Sequence, residues 1–305
     1  MKILVTGGTG FVGSYLTGRL AREGHSVSIL VRPGEAPESV PSITYLSGDP
    51  TQRGPWMEAV GEYDGAINLA GAPIFTRWTE GQKKAIRESR ILTTRNLVAA
   101  IRSDRERPFT LISTSAVGYY GFHENEEIFE ESPPGTDFLA GVAADWEAEA
   151  LTAVGKGARV AITRFGIVLG ASGGALGQMI PLFRWFAGGP IGSGRQWFSW
   201  VHMEDLARAM LFILERNDIS GPVNLCSPRP VTNRELAKAL GKVLHRPSLL
   251  PAPSFAVRMV LGEFGSVVLK GQKVLPRLLL EKGFTFKYPD IAGALQEVIA
   301  PRPMR

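Results

Sequence analysis

A single cysteine, Cys226, stands among 305 residues. One thiol cannot close an internal disulfide, and this usage fits a reducing compartment, so a cytoplasmic protein is expected. No apolar run reaches the roughly 20 residues that a bilayer span needs. The opening MKILVTGGTG has a Lys and an apolar stretch, but its glycines come too early for a signal peptide, and it reads as a buried strand. Low-complexity tracts, heptad runs and internal repeats are missing, which argues against coiled coils and repeat arrays. No Cys/His/Asp cluster has metal-ligand spacing, so no metal is expected. Ser172 in GASGGALG lacks the flanks of a nucleophile elbow.

The composition that remains is globular, 44% apolar and 21% charged, and the length suits one large or two ordinary domains. The net charge of +5 is uneven: Arg229 to Arg305 holds 13 Lys and Arg against 5 Asp and Glu. These cations are scattered singly between apolar residues, with no clustered stripe or stacking motif. A solvated surface is expected, without nucleic-acid or membrane partners.

The strongest signal is KILVTGGTGFVGSYLTGRLAREGHSVSILVR, a compact βαβ pattern. Lys2–Val5 reads as a buried parallel strand and Val27–Val31 as the second. Leu16 and Leu20 share a helix face, and Gly24 suits the helix C-terminus. Between strand and helix lie Gly7, Gly10 and Gly13. The first allows a sharp turn, the second a close approach to a pyrophosphate, and the third close packing of helix on strand. The pyrophosphate then meets free N–H groups at the helix N-terminus. At the end of the second strand, where an NAD site usually carries Asp or Glu, stands Arg32. A guanidinium suits a 2′-phosphate, so NADP(H) is favoured over NAD(H).

Strand patterns continue at Ile43–Leu46, Ala66–Leu69 and Phe109–Ser113, with helical stretches between them. Such alternation predicts an α/β fold, a Rossmann doubly wound parallel sheet whose ligand lies beyond the C-terminal strand ends. Arg32, Asp49, Ala70, Gly71 and Ser115 all fall at such ends. The expected division is a nucleotide-binding domain over 1–165 and, over 166–305, mainly a smaller, mostly helical substrate or lid subdomain. Within the second part, 200–225 is expected to return to the Rossmann core.

The motifs TGGTGFVG, NLAG, STSAVGYYG, EESPPG and WVHMEDLARAM, in that order, resemble the extended short-chain dehydrogenase/reductases, the superfamily of sugar-nucleotide epimerases and dehydratases. GGPIGSGRQWFSWVHMEDL with GQKVLPRLLLEKGFTFKYPDIAGAL resembles an atypical group within it, the epimerase family proteins. The resemblance implies that Gly7, Gly10, Phe11, Val12 and Gly13 hold the pyrophosphate. Arg32 would take the adenosine phosphate, with Asp49 near the adenine. Leu69, Ala70 and Gly71 would pass behind the ribose, and Arg90 would reach phosphates or ribose. Gly166 and Val168 would lie against the nicotinamide, and Ser115 matches the catalytic serine.

The same resemblance exposes a gap. The superfamily works with a Tyr and, four residues later, a Lys that lowers the Tyr pKa and holds the ribose. Counting back from Glu147 in DFLAGVAADWEAEA, these places fall on Leu139 and Ala143. Neither can move a proton. Tyr120, beside Tyr119, and His202 are the substitutes that the residues offer. Packing roles stand beside the catalytic one for each.

The aromatic and Gly-rich stretch from Ile180 to His202 reads as a loop-rich pocket wall. Arg195, Gln196, Trp197 and Trp200 would lie near a substrate such as a nucleotide sugar, or would form a core cluster with a surface Arg. TNRELAKALGKVL reads as an amphipathic helix capped by Thr232 or Asn233. The apolar, Pro-punctuated stretch after Arg246 suits either a small helical cover over the cleft or an oligomer contact such as a homodimer. Two functions follow: an NADP(H)-dependent oxidoreductase or epimerase-like enzyme without the Tyr/Lys pair, or a non-catalytic NADP(H)-binding sensor.

Overall fold

Side chains of the first strand, β1 (Lys2–Thr6), divide by parity. Ile3 and Val5 pack with Leu16 and Leu20, while Leu4 packs on the opposite face with Leu97 and Leu111. A strand that is apolar on both faces needs helices on both. The computed structural model satisfies that need throughout; it describes residues 1–300 apart from 36, 37, 39, 41 and 172. Ser172 therefore lies outside the described residues.

Joining β1 in one sheet are β2 (Ser26–Val31), β3 (Ile43–Ser47), β4 (Gly65–Asn68), β5 (Thr110–Ala116), β7 (Arg159–Phe165) and β11 (Gly221–Leu225). All pairings are parallel, in the order β11-β7-β5-β4-β1-β2-β3. The chain thus runs outward from β1 in one direction to β3 and in the other to β11. The order reverses between β1 and β4, where doubly wound sheets bind ligands. One face is covered by α1 (Phe11–Arg22) and α6 (Met203–Glu215), through Leu16, Leu20, Leu206 and Met210. The other is covered by α3 (Glu80–Ala100) and α4 (Phe138–Leu151), through Leu97, Val98 and Ala150. A short helix, α2 (Trp56–Ala59), adds Trp56 to that side.

Local sequence sets the helix starts. Thr79 accepts from Gln82 N to cap α3, and Asp137 accepts from Leu139 N and Ala140 N to cap α4. Gly24, at φ +82°, ends α1 in a left-handed turn.

Smaller pairs tie the second half to the first. β8 (Ile167–Leu169) pairs with β10 (Trp200–His202), β9 (Trp197–Phe198) with β12 (Val231–Thr232), and β6 (Glu127–Ile128) with β13 (Lys273–Val274). Helices α5 (Gly174–Arg184), α7 (Asn233–Leu244) and α11 (Ile291–Ile299) share a core of Leu176, Phe183, Leu236, Leu240 and Leu295. Thr232 and Glu235 form a reciprocal capping box at the start of α7. Three further helices, α8 (Ser254–Leu261), α9 (Phe264–Val268) and α10 (Arg277–Glu281), complete the region. Among the described residues no helix is long and apolar enough to cross a membrane.

Candidate functional site

The turn between β1 and α1 is closed by contacts that only glycine permits. Gly7 has φ +68°, and a Cβ there would fall 2.8 Å from the backbone of Leu69 and Ala70. At Gly13 a Cβ would fall 2.1 Å from the Gly7 carbonyl oxygen. Gly10 N–H donates to that same carbonyl at 3.1 Å and begins α1 with no side-chain cap. The first-turn N–H groups of Phe11, Val12 and Gly13 therefore have no intrahelical partner and suit an anion. The Phe11 ring packs against Gly170, Gly173 and Gly174, so the segment after β8 is fitted to the same turn.

Opposite the turn, the chain after β4 is pinned from several sides. Leu69 N–H donates to Thr6 O, and Ala72 N–H donates to Ser89 Oγ. Beneath it runs a buried polar ladder: Thr6 Oγ1 donates to Asn68, and Asn68 Nδ2 donates to Thr94 Oγ1 at 2.8 Å. Arg90 reaches over from α3. Its Nη1 donates to Ala72 O at 3.1 Å and to Ile86 O at 2.8 Å, and its guanidinium sits 5.3 Å from the Trp146 ring centroid. A Cβ on Gly71 would meet the guanidinium carbon at 2.8 Å. Burial lowers the Arg90 pKa from 12.5 to about 10, and among the described residues it forms no ion pair with a carboxylate. This is a half-buried cation placed beside the switch point of the sheet.

Arg32 follows β2 with its side chain 55% exposed, 3.8 Å from Glu35 and 4.0 Å from Asp49. Both pairs are loose, leaving the fork of donors available. Asp49 Oδ1 accepts from Thr51 N at 2.9 Å and from Thr51 Oγ1 at 2.7 Å, which fixes the turn beyond β3. Gly166 packs tightly on Ser199, where a Cβ would lie 2.9 Å from the carbonyl oxygen, and Val168 lies half-buried in β8.

The three residues considered for proton transfer are directed elsewhere. Ser115 is 1% exposed and its Oγ donates to Glu147 Oε1 at 2.6 Å. Glu147 is clasped by Arg164, through Nε at 2.8 Å and Nη2 at 2.7 Å. Arg164 Nη1 donates to Tyr120 OH at 2.8 Å, and that phenol donates to Asn224 Oδ1 at 2.7 Å. Burial pushes the Tyr120 pKa up despite the nearby Arg164 charge, so the phenolate is disfavoured. For Arg164 burial opposes the charge, but the bonds to Glu147 and Tyr120 outweigh it and the pKa rises. Tyr119 lies over the Arg164 guanidinium at 3.6 Å. His202 is 3% exposed and caps α6: its Nδ1 accepts from Glu204 N at 3.1 Å, while Nε2 meets Glu297 Oε2 at 2.8 Å. That bonding assigns the proton to Nε2 and uses both ring nitrogens. Each polar group of Ser115, Tyr120 and His202, the residues expected to transfer a proton, is thus buried and hydrogen-bonded within the fold.

Leu139, Ala143 and Glu147 recur every four residues on one face of α4. The last of them grips Arg164 below the sheet ends. Leu139 is half-buried, near Gly118, in an apolar cluster with Trp78, Val142 and Phe264; Ala143 is 5% exposed.

The residues expected to line a substrate do not form one wall. Trp200 is fully buried in the α5–α7–α11 core, with Nε1 donating to Arg229 O, which agrees with the alternative of an aromatic core cluster. Gln196 spends Nε2 on Ile191 O and Val268 O, while its Oε1 is buried without a partner. Trp197 donates to Asn125 at 3.1 Å, and Arg195 is exposed. Residues 180–202 hold the end of α5 and the short strands β9 and β10, with irregular chain between them as the loop-rich expectation had it.

Sequence reasoning missed the attachment of the C-terminal segment. Gln272 Nε2 donates to Val117 O, Ser199 Oγ donates to Gln272 O and accepts from Val274 N, and Asn224 Nδ2 donates to Leu275 O. Glu130 Oε1 accepts from Asn224 N and Leu278 N, and burial raises its pKa. One signal was available: Arg164 stands inside the apolar strand RVAITRF, and a buried cation requires a buried acceptor.

The model of the NAD dependent epimerase/dehydratase family matches residues 3–226, and that of a domain of unknown function, DUF1731, matches residues 252–298. The chain is 44% identical over 302 residues to the Arabidopsis thaliana protein called epimerase family protein SDR39U1 homolog, chloroplastic, covering 98% of this chain and 87% of that one. It is 42% identical over 303 residues to epimerase family protein YfhF of Bacillus subtilis, covering 99% of both. The crystal structure of human epimerase family protein SDR39U1 (isoform2) with NADPH is similar with a TM-score of 0.86 at 36% identity, covering 98% of this chain and 99% of that one. With the glycine turn, the parallel sheet and a C-terminal segment of the DUF1731 type, this chain belongs to the NAD dependent epimerase/dehydratase family, as one of its epimerase family proteins.

Proposed function

We propose that the protein binds NADP(H) and acts as an oxidoreductase or epimerase-like enzyme on a carbonyl or hydroxyl compound, nucleotide sugars included, without a Tyr/Lys pair. The observation that carries the binding is the half-buried Arg90, desolvated and, among the described residues, without a carboxylate partner, beside Gly71 in the loop that follows β4. Gly7, Gly10, Phe11, Val12 and Gly13 hold the pyrophosphate, and Arg32 takes the 2′-phosphate with Asp49 at the adenine edge. Leu69, Ala70 and Gly71 back the ribose, and Gly166 and Val168 back the nicotinamide. NADPH in the human relative supports the cofactor preference. The cofactor supplies the hydride; with Leu139 and Ala143 in place of Tyr and Lys, proton exchange falls to water or to the substrate's own groups. The free, buried Cys226 is in keeping with a cytoplasmic protein.

A second reading, a non-catalytic NADP(H) sensor, is favoured by the apolar setting of Leu139 among Trp78, Val142 and Phe264. The deciding experiment titrates the protein with NADPH and NADH, then follows exchange of the nicotinamide C4 hydrogen on carbonyl and nucleotide-sugar panels. Failure to bind either cofactor overturns both readings. Tight NADPH binding with no exchange on any substrate selects the sensor.

A further inference from the structure

Two neighbouring segments of the second half carry most of the large apolar side chains that the fold leaves in water. At the end of α5 stand Leu182, Trp185 (83% exposed) and Phe186; beyond α7 stand Leu249 (82%) and Leu250; and α8 presents Phe255, Met259 and Val260. None of the eight residues of α8 is buried. Phe255 and Met259, four apart, share one of its faces. The segments are held side by side: Ala252 N–H donates to Pro190 O, Gly192 N–H donates to Ala252 O, and the Arg246 guanidinium lies 4.8 Å from the Phe186 ring centroid. An exposed apolar surface of this kind marks an interaction site rather than ordinary scatter.

Its charge has one sign. No Asp or Glu occurs between Glu149 and Glu204, nor between Glu235 and Glu263. Along these segments stand the exposed Arg184 and Arg258 and the half-buried Arg246 beside Phe186. Its partner is therefore anionic as well as apolar.

We propose that this face docks on an anionic lipid bilayer. Trp185, Phe186, Leu249, Phe255 and Met259 enter the boundary between headgroups and acyl chains, and the three arginines meet lipid phosphates. Aromatic and aliphatic side chains beside Arg on one surface are what interfacial membrane contacts use. The bilayer is favoured over an acidic protein because these side chains project from a helix end, a loop and an unburied helix face; a fluid surface accepts them without matching their shape. The contact is peripheral, since no described helix spans a membrane. It departs from the sequence-based expectation of no membrane partner and is independent of the cofactor reading.

The test is flotation of the full chain with vesicles. One set is phosphatidylcholine alone, and the other contains about one-third phosphatidylglycerol, an anionic surface that attracts basic residues. The expected result is binding to the anionic vesicles, weakened by salt, with little binding to the neutral ones. The double variant Trp185→Ser, Phe255→Ser loses at least about 100-fold in partitioning, since each buried aromatic contributes roughly tenfold or more. It keeps its thermal melt and NADPH affinity, because both side chains are exposed in the fold. Absence of flotation, or flotation that the double variant leaves unchanged, overturns the proposal. So does a dimer in sedimentation that the same variant dissolves while no vesicle binds, which would assign the face to self-association.

Discussion

Replacing Arg90 by Met should move stability and cofactor affinity in opposite directions. The Arg90 pKa falls from 12.5 to about 10 through desolvation. At about 1.4 kcal/mol for each tenfold change in acidity, holding the charge in place costs the free protein roughly 3 kcal/mol. Below pH 10 the residue is charged in both folded and unfolded chains, so the folded state bears this cost in full at neutral pH. Hydrogen bonds to Ala72 O and Ile86 O and the face of Trp146 offset part of it. Met keeps the aliphatic packing and removes the charge. The free variant should therefore be as stable as the parent or more so in urea. A charge-assisted bond to a cofactor phosphate is worth about 1.5–3 kcal/mol, so the NADPH Kd should rise roughly 10- to 150-fold. Thermal melts with and without NADPH, together with fluorescence titration, read both quantities. At a concentration of about 100 times the parent Kd, the parent gains roughly 2.7 kcal/mol on binding and the variant loses about half of that gain or more. A free variant destabilised by more than ~1 kcal/mol with unchanged NADPH affinity would refute the reasoning and make Arg90 a clamp for the loop after β4.

Other substitutions separate the remaining roles. Arg32→Glu should weaken NADPH at least about tenfold more than NADH, because it removes a phosphate partner and adds a like charge; equal losses in the two titrations would remove the 2′-phosphate role. Gly13→Ala, whose Cβ would fall 2.1 Å from Gly7 O, should abolish NADPH binding and lower stability by about 1–3 kcal/mol, as overpacking does; unchanged binding would show that the turn is not the pyrophosphate site. Glu147→Ala strands the buried Arg164 and should cost about 3–5 kcal/mol in urea unfolding; the double variant Glu147→Leu, Arg164→Met should recover most of it. Burial lowers the His202 pKa below 6.5. The unfolded chain then takes up a proton before the folded one does, so stability falls as pH drops through 6.5 toward the folded pKa. Replacing His202 by Asn, which can still cap α6, should flatten that part of the stability profile.

The glycine turn between β1 and α1 was legible because its information is local. Gly7, Gly10 and Gly13, the strand before them and the helix after them lie within 22 residues, and steric exclusion at close backbone contacts leaves little choice of residue. The sheet followed from the alternation of apolar strands with helical patterns, and the caps at Asp137 and Thr232 from single residues placed before them. Ser115, Tyr120 and Trp200 were harder to place because strand and turn patterns do not tell which polar or aromatic group will find a buried partner far along the chain. Tyr120 meets Asn224, 104 residues away, and Gln272 meets Val117, 155 residues away. The sequence by itself determined the glycine turn, the parallel sheet and the apolar residues Leu139 and Ala143 on one face of α4. Only the tertiary structure decided that Ser115, Glu147, Arg164 and Tyr120 close into one buried network, that Arg90 has no carboxylate partner among the described residues, and that α8 is left facing water. Local backbone sterics can be read from neighbouring residues, whereas burial and charge pairing exist only once distant segments meet.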